Sequence, residues 1–136
     1  MNLFSSPNLH ITFVVAALLA LVYITLSINV ILERFRAKAS FGVGTDPQHP
    51  LAVAARMHGN FAEYAPLFLI LLLLAETHEL PVLALKITGA LFVVGRVSHA
   101  IGMRLPAPNA FRGAGMMCTF FPILILAVWG LVHVLV

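Results

Sequence analysis

Charge is scarce in this sequence. Only 10% of its 136 residues are Asp, Glu, Lys or Arg, while 61% are hydrophobic. A soluble domain of this length needs a charged surface, so the shortage argues against one and leaves no room for a separate soluble catalytic module. Eight Lys and Arg against five acids give a formal charge of +3, too small and too scattered for a nucleic-acid surface. Cysteine is nearly absent. The single Cys118 excludes an intrachain disulfide and a CxxC site. Beside Met116, Met117 and Phe120 it reads as a small apolar packing residue. No two of the six histidines are spaced i, i+4, so no helical metal pair is expected. The N-terminus also lacks a positive n-region and a small-residue cleavage site. Its apolar stretch therefore reads as a retained helix and not a signal peptide.

What is present is a set of long apolar runs. A helix rises 1.5 Å per residue, so about 20 apolar residues cross roughly 30 Å of hydrocarbon. Mean hydropathy is +1.02. Runs at about residues 10–32, 51–75, 81–103 and 113–136 predict one domain, 1–136: an all-α integral membrane bundle of four transmembrane helices. Ser5, Ser6, Pro7 and Asn8 offer turn and cap chemistry before the first span, which ends at the charged run from Glu33 to Lys38. Residues 39–50, punctuated by Gly42, Gly44, Pro47 and Pro50, form an irregular loop. Glu76 to Leu80 form a short hairpin, Pro81 opens the third span, and residues 104–112 make the last connection. Pro66 and Pro122 predict bends inside spans two and four. Gly95, Ser98 and Gly102 have the spacing of a close helix contact in lipid.

Loop charge sets the expected orientation. Loops one and three carry Arg34, Arg36, Lys38, Arg104 and Arg112, and loop two carries Glu76 and Glu79 without Lys or Arg. The positive-inside rule puts loops one and three in the cytoplasm and both termini on the opposite side.

The informative segment is Arg56-Met57-His58-Gly59-Asn60-Phe61-Ala62-Glu63-Tyr64. At about 100° per residue, Arg56, Asn60 and Glu63 fall in one narrow arc while His58 points elsewhere. A charge exposed to lipid costs roughly 2.5–3.5 kcal/mol on insertion scales, so the row must face protein, water or a ligand. An Arg56–Glu63 ion-pair network that fixes helix packing is one way to meet that demand. Span 3 adds Arg96 and His99 on one face, Arg112 begins span 4, and Asn29 and Glu33 line up at the end of span 1. Polar groups from four helix ends thus lie on one side of the membrane. Arg34, Arg56, Arg96, Arg104 and Arg112 outnumber Glu33 and Glu63 there, which suits an anionic ligand because guanidinium binds carboxylates bidentately. For Arg34, Arg36 and Arg104, snorkelling to headgroups is the competing role. Because the polar groups cluster at one end, a transport pathway is disfavoured.

The stretch RMHGNFAEYAPLF at 56–68 resembles the second-helix signature of the membrane-associated proteins in eicosanoid and glutathione metabolism, the MAPEG family. LERFRAK at the end of the first span, GRVSH at 95–99 and an Arg at the start of the fourth extend the likeness over nearly the whole chain. The short loops and RGAGM look most like the small bacterial branch. The resemblance implies a homotrimer of four-helix subunits in the inner or plasma membrane of a bacterium. It implies glutathione bound between subunits near the cytoplasmic face, and transferase or peroxidase chemistry on lipophilic electrophiles or hydroperoxides arriving through the bilayer. It implies that Arg56 and Arg34 take glutathione carboxylates, Glu63 the ammonium, and Asn60 and Tyr64 the peptide, with Arg96 and His99 in the same set. By the same likeness Arg112 favours the reactive thiolate. Synthase members carry tyrosines late on the third helix; here the region reads His99 to Met103 without a hydroxyl, and His99 offers a hydrogen-bond donor instead. The alternative expectation is a non-enzymatic member that binds a lipid or anionic small molecule as a sensor or scaffold.

Overall fold

The computed structural model describes residues 9–136. Four helices follow in chain order: α1 (His10–Ala37), α2 (Pro50–Thr77), α3 (Val82–Met103) and α4 (Ala110–Leu135). All four are long and apolar enough to cross a membrane, so the expected all-α four-helix membrane bundle is the fold.

Two helix ends lie three or more residues beyond the hydropathy boundaries. The charged run after Leu32 does not end α1, which continues through Glu33, Arg34, Phe35 and Arg36 to Ala37. The apolar window marks what suits lipid, whereas Glu, Arg and Lys are good helix formers outside it. An Arg36–Glu33 ion pair braces this extra turn, and its arginines sit at the negative end of the helix dipole. Lys38 stops the helix in the left-handed region at φ 50°, its N–H donating to Arg34 O and Phe35 O. Likewise α4 starts at Ala110, before Gly113, because Asn109 caps it: its side chain accepts from Arg112 N at 2.9 Å.

The cap chemistry expected from Ser5 to Asn8 lies outside the described residues. The start of α1 is instead held from across the bundle. Glu76, at the end of α2, accepts from Ile11 N at 2.9 Å and Thr12 N at 2.7 Å. A carboxylate on two otherwise unsatisfied N–H groups meets both the hydrogen-bonding need and the positive dipole of a helix start. The chain then reverses through Glu79, at φ 61°, and Pro81 is the cap of α3 and not its first residue. Helices α2 and α4 continue through Pro66 and Pro122.

Helix α3 packs most extensively on α4, and α1 on α2. Small residues let the first pair approach. A methyl group added at Gly95 would meet the Cys118 backbone at 2.9 Å, and one at Gly102 would collide with Arg112 N. The glycine spacing on α3 therefore marks a real helix contact. In the interior, Phe68 and Phe92 stack with ring centroids 3.9 Å apart. The outside is apolar, as with Phe13, Leu83 and Leu131, and suits hydrocarbon.

Candidate functional site

At the end of the bundle that carries loops one and three, an open cleft of about 1250 Å³ lies between the first loop, the start of α2, the end of α3 and the start of α4. Arg36, Arg56, Arg104 and Arg112 line it, as do Asn29, Glu33 and Asp46. Guanidinium groups outnumber carboxylates in its wall, so it presents a net positive face to an anion. Of the polar groups expected at this end of the bundle, Asn29, Glu33, Arg56, Arg104 and Arg112 line the cleft, whereas Arg34, Asn60, Glu63, Arg96 and His99 do not.

The polar stripe of α2 divides as it descends from the cleft. Arg56 lines the cleft and is exposed. Asn60 turns inward: its Oδ1 accepts from Arg96 Nη2 at 2.8 Å. Glu63 is exposed on the outer face of α2, near mid-helix. No Arg56–Glu63 pair forms; among the described residues the sole ion pair is Arg36–Glu33. Seven residues of helix separate the two groups by about 10 Å, too far for direct contact. His58 faces α1, as its azimuth requires, with Nε2 3.1 Å from Ser27 Oγ and its ring against Tyr23.

Arg96 lies in the interior, 1% exposed. Besides Asn60, it donates from Nη1 to Thr119 Oγ1 at 3.3 Å. Thr119 Oγ1 in turn donates to Gly115 O at 2.8 Å. The guanidinium carbon also lies 5.6 Å from the Phe61 ring and 5.8 Å from the Tyr64 ring, within cation–π range. Tyr64 in turn meets Phe120 edge-on. Arg96 thus holds Asn60, Thr119 and Tyr64 in one arrangement, below the cleft and not in its wall. His99 is also buried, and its Nδ1 and Arg96 Nε have no hydrogen-bond partner among the described residues. Arg34 is not in the cleft wall; its Nη1 donates to Gly42 O at 3.1 Å and secures the first loop.

Arg112 occupies the first turn of α4 and is exposed. Its backbone is fixed twice, by the Asn109 cap and by the close approach of Gly102. Asn109 also donates from Nδ2 to Gly102 O at 2.9 Å and Pro106 O at 3.1 Å, tying the end of α3 to the start of α4. The positive end of the α4 dipole and the Arg112 guanidinium therefore point to the same region. Asn109, Gly115 and Thr119 were not singled out from the sequence. Only Asn109 had a readable signal, as a cap residue directly before a helical run.

Two substitutions test this framework. Asn109→Ala removes three hydrogen bonds and should lower stability by ~1–2 kcal/mol, read as a drop in Tm with helical content retained. Arg96→Met leaves no unpaired ion behind, so Tm should hold or rise, as when buried charges give way to apolar groups. A large fall in Tm would instead make Arg96 essential to the packing itself.

Four membrane-length helices with an arginine-rich cleft at one end define a multi-pass membrane protein. The MAPEG family model matches residues 12–132, and the chain belongs to that family. Among its relatives are the inner membrane proteins YecN of Escherichia coli strain K12 and of Escherichia coli O6:H1, each 29% identical over 111 residues, or 82% of both chains. No solved structure matches it.

Proposed function

We propose that the protein is a glutathione-dependent transferase or peroxidase of a bacterial inner membrane, acting as a homotrimer on lipophilic electrophiles or hydroperoxides. The observation that carries this reading is the open stripe on α2. Glu63 is exposed near the middle of a membrane-length helix, with Arg56 exposed above it. A carboxylate left to lipid at that depth costs roughly 2.5–3.5 kcal/mol. The face is better covered by a neighbouring subunit and a polar ligand between them. Family membership supports the reading, the inner-membrane relatives support the location, and loop charge favours a cytoplasmic side for the cleft.

Glutathione carries two carboxylates, an ammonium and a thiol. Arg56 takes a carboxylate in the cleft, Glu63 accepts from the ammonium, and Asn60, held by Arg96, meets the peptide with Tyr64. Arg34 and His99 complete the set when the ligand and a second subunit are in place. A cysteine thiol has a pKa near ~8.5, so Arg112 at the α4 start raises the thiolate fraction. The thiolate sulfur bonds to the electrophilic carbon, the leaving group departs with its electron pair, and the thiol proton goes to solvent. With a hydroperoxide the thiolate attacks the outer oxygen: the S–O bond forms as the O–O bond breaks, giving glutathione sulfenic acid, and the alkoxide takes up a proton and leaves as alcohol. A second glutathione then converts the sulfenic acid to disulfide and water.

The test is turnover by the purified oligomer with glutathione and either an aryl halide or an organic hydroperoxide, with thioether or alcohol measured by mass spectrometry. Product above the detergent blank is expected with at least one substrate. Its absence with both, from a folded oligomer, would overturn the reading.

A further inference from the structure

A second cavity, of about 560 Å³, lies between α1 and α3. It is apolar: Leu21, Val22 and Leu26 of α1 face Val97, Ala100 and Ile101 of α3 across it. One end is closed by Arg104 and Leu105, which with Met57 also line the polar cleft. The two cavities therefore share a wall at one face of the bundle.

We propose that this groove is a binding site for an anionic glycerophospholipid, one acyl chain lying between α1 and α3 and the phosphate on Arg104. Depth is the first argument. From Arg104 to Val97 the α3 wall descends about 10 Å at 1.5 Å per residue, which spans much of one ~15 Å leaflet, half of the hydrocarbon core. A groove that begins at a surface cation and runs down into one leaflet has the form of a lipid and not of an aqueous ligand. Charge is the second argument. Arg104 is exposed, its one side-chain partner is the neutral Asn29 Oδ1 at 3.2 Å, and no carboxylate neutralises it among the described residues. Basic pockets between membrane helices bind lipid phosphates in this way. Because Arg104 belongs to both cavities, the bound phosphate sits beside the cleft and competes there with any anionic ligand.

Thermal unfolding of the detergent-purified oligomer, titrated with phosphatidylglycerol or phosphatidylcholine, tests the site. Phosphatidylglycerol should raise Tm saturably, by several degrees more than phosphatidylcholine. Arg104→Gln, at an exposed position, should abolish that difference, and Ala100→Trp, which fills the groove, should remove most of the rise. If Ala100→Trp does not fold, Arg104→Gln alone decides. Equal shifts with both lipids, or a phosphatidylglycerol preference that survives Arg104→Gln, would overturn the proposal. The readout involves neither thiol nor turnover, so it stands or falls separately from the transferase reading.

Discussion

Arg112→Ala is expected to lower the rate of glutathione conjugation by about 100-fold or more, the usual cost of losing one electrostatic contact to a reacting anion, while the oligomer stays folded. The side chain is exposed, and the packing at this point comes from its backbone against Gly102 and from the Asn109 cap. Alanine keeps the backbone and the Cβ, so the α3–α4 contact survives. What is lost is the guanidinium at the positive end of α4, which in the proposed mechanism shifts the thiol toward thiolate. The loss should therefore shrink as pH rises through the free thiol's range, where thiolate forms without help. Arg112→Lys should recover part of the rate, since it restores charge without the planar fork. Equal turnover by parent and Arg112→Ala would remove Arg112 from the chemistry.

Gly115→Val is expected to cost ~3 kcal/mol or more, at the upper end of overpacking penalties, and to prevent recovery of a homogeneous oligomer. A single methyl there would lie 2.5 Å from His99 N and 2.8 Å from Gly95 O. Both are backbone atoms and cannot swing aside as a flexible side chain would. The helices must separate, and separation breaks the Arg96–Thr119 bond that joins α3 to α4. Gly113 provides the comparison, because nothing among the described residues lies within 4 Å of a methyl added there. Gly113→Ala should be neutral or stabilising by up to ~1 kcal/mol, from helix propensity alone. Size-exclusion profiles and Tm of the two variants read this directly. Similar behaviour of both would mean that α3 and α4 do not meet at Gly115.

The spans were legible because apolar run length is a direct consequence of bilayer thickness. The helix ends were less so. The charged turn that extends α1 to Ala37 has only Phe35 and Ala37 as apolar residues to count, and its helicity comes from propensity and the Arg36–Glu33 pair. Azimuth was legible on α2, where His58 does turn away from Asn60 toward α1. The periodicity of one helix gives directions but not neighbours, so it did not reveal that Asn60 is taken by Arg96 while Glu63 stays open. Glu76 read as a hairpin residue because its partners Ile11 and Thr12 lie more than 60 positions away in the chain. Likewise the spacing of Gly95 and Gly102 announced a contact on α3, but nothing in RGAGM distinguishes Gly115, which faces α3, from Gly113, which faces open space.

The most direct measurement is calorimetric titration of glutathione into the detergent-purified oligomer, for the parent and for Glu63→Gln. Glu63 is exposed in the single chain, so the substitution leaves the bundle interior intact and removes only the charge proposed to face the ammonium. Micromolar to millimolar binding that weakens by about tenfold to a hundredfold in the variant is the predicted result, in keeping with ~1.5–3 kcal/mol for a charge-assisted hydrogen bond. Absence of binding heat from a folded parent oligomer, or identical affinity in the two proteins, would contradict a glutathione site on the stripe of α2.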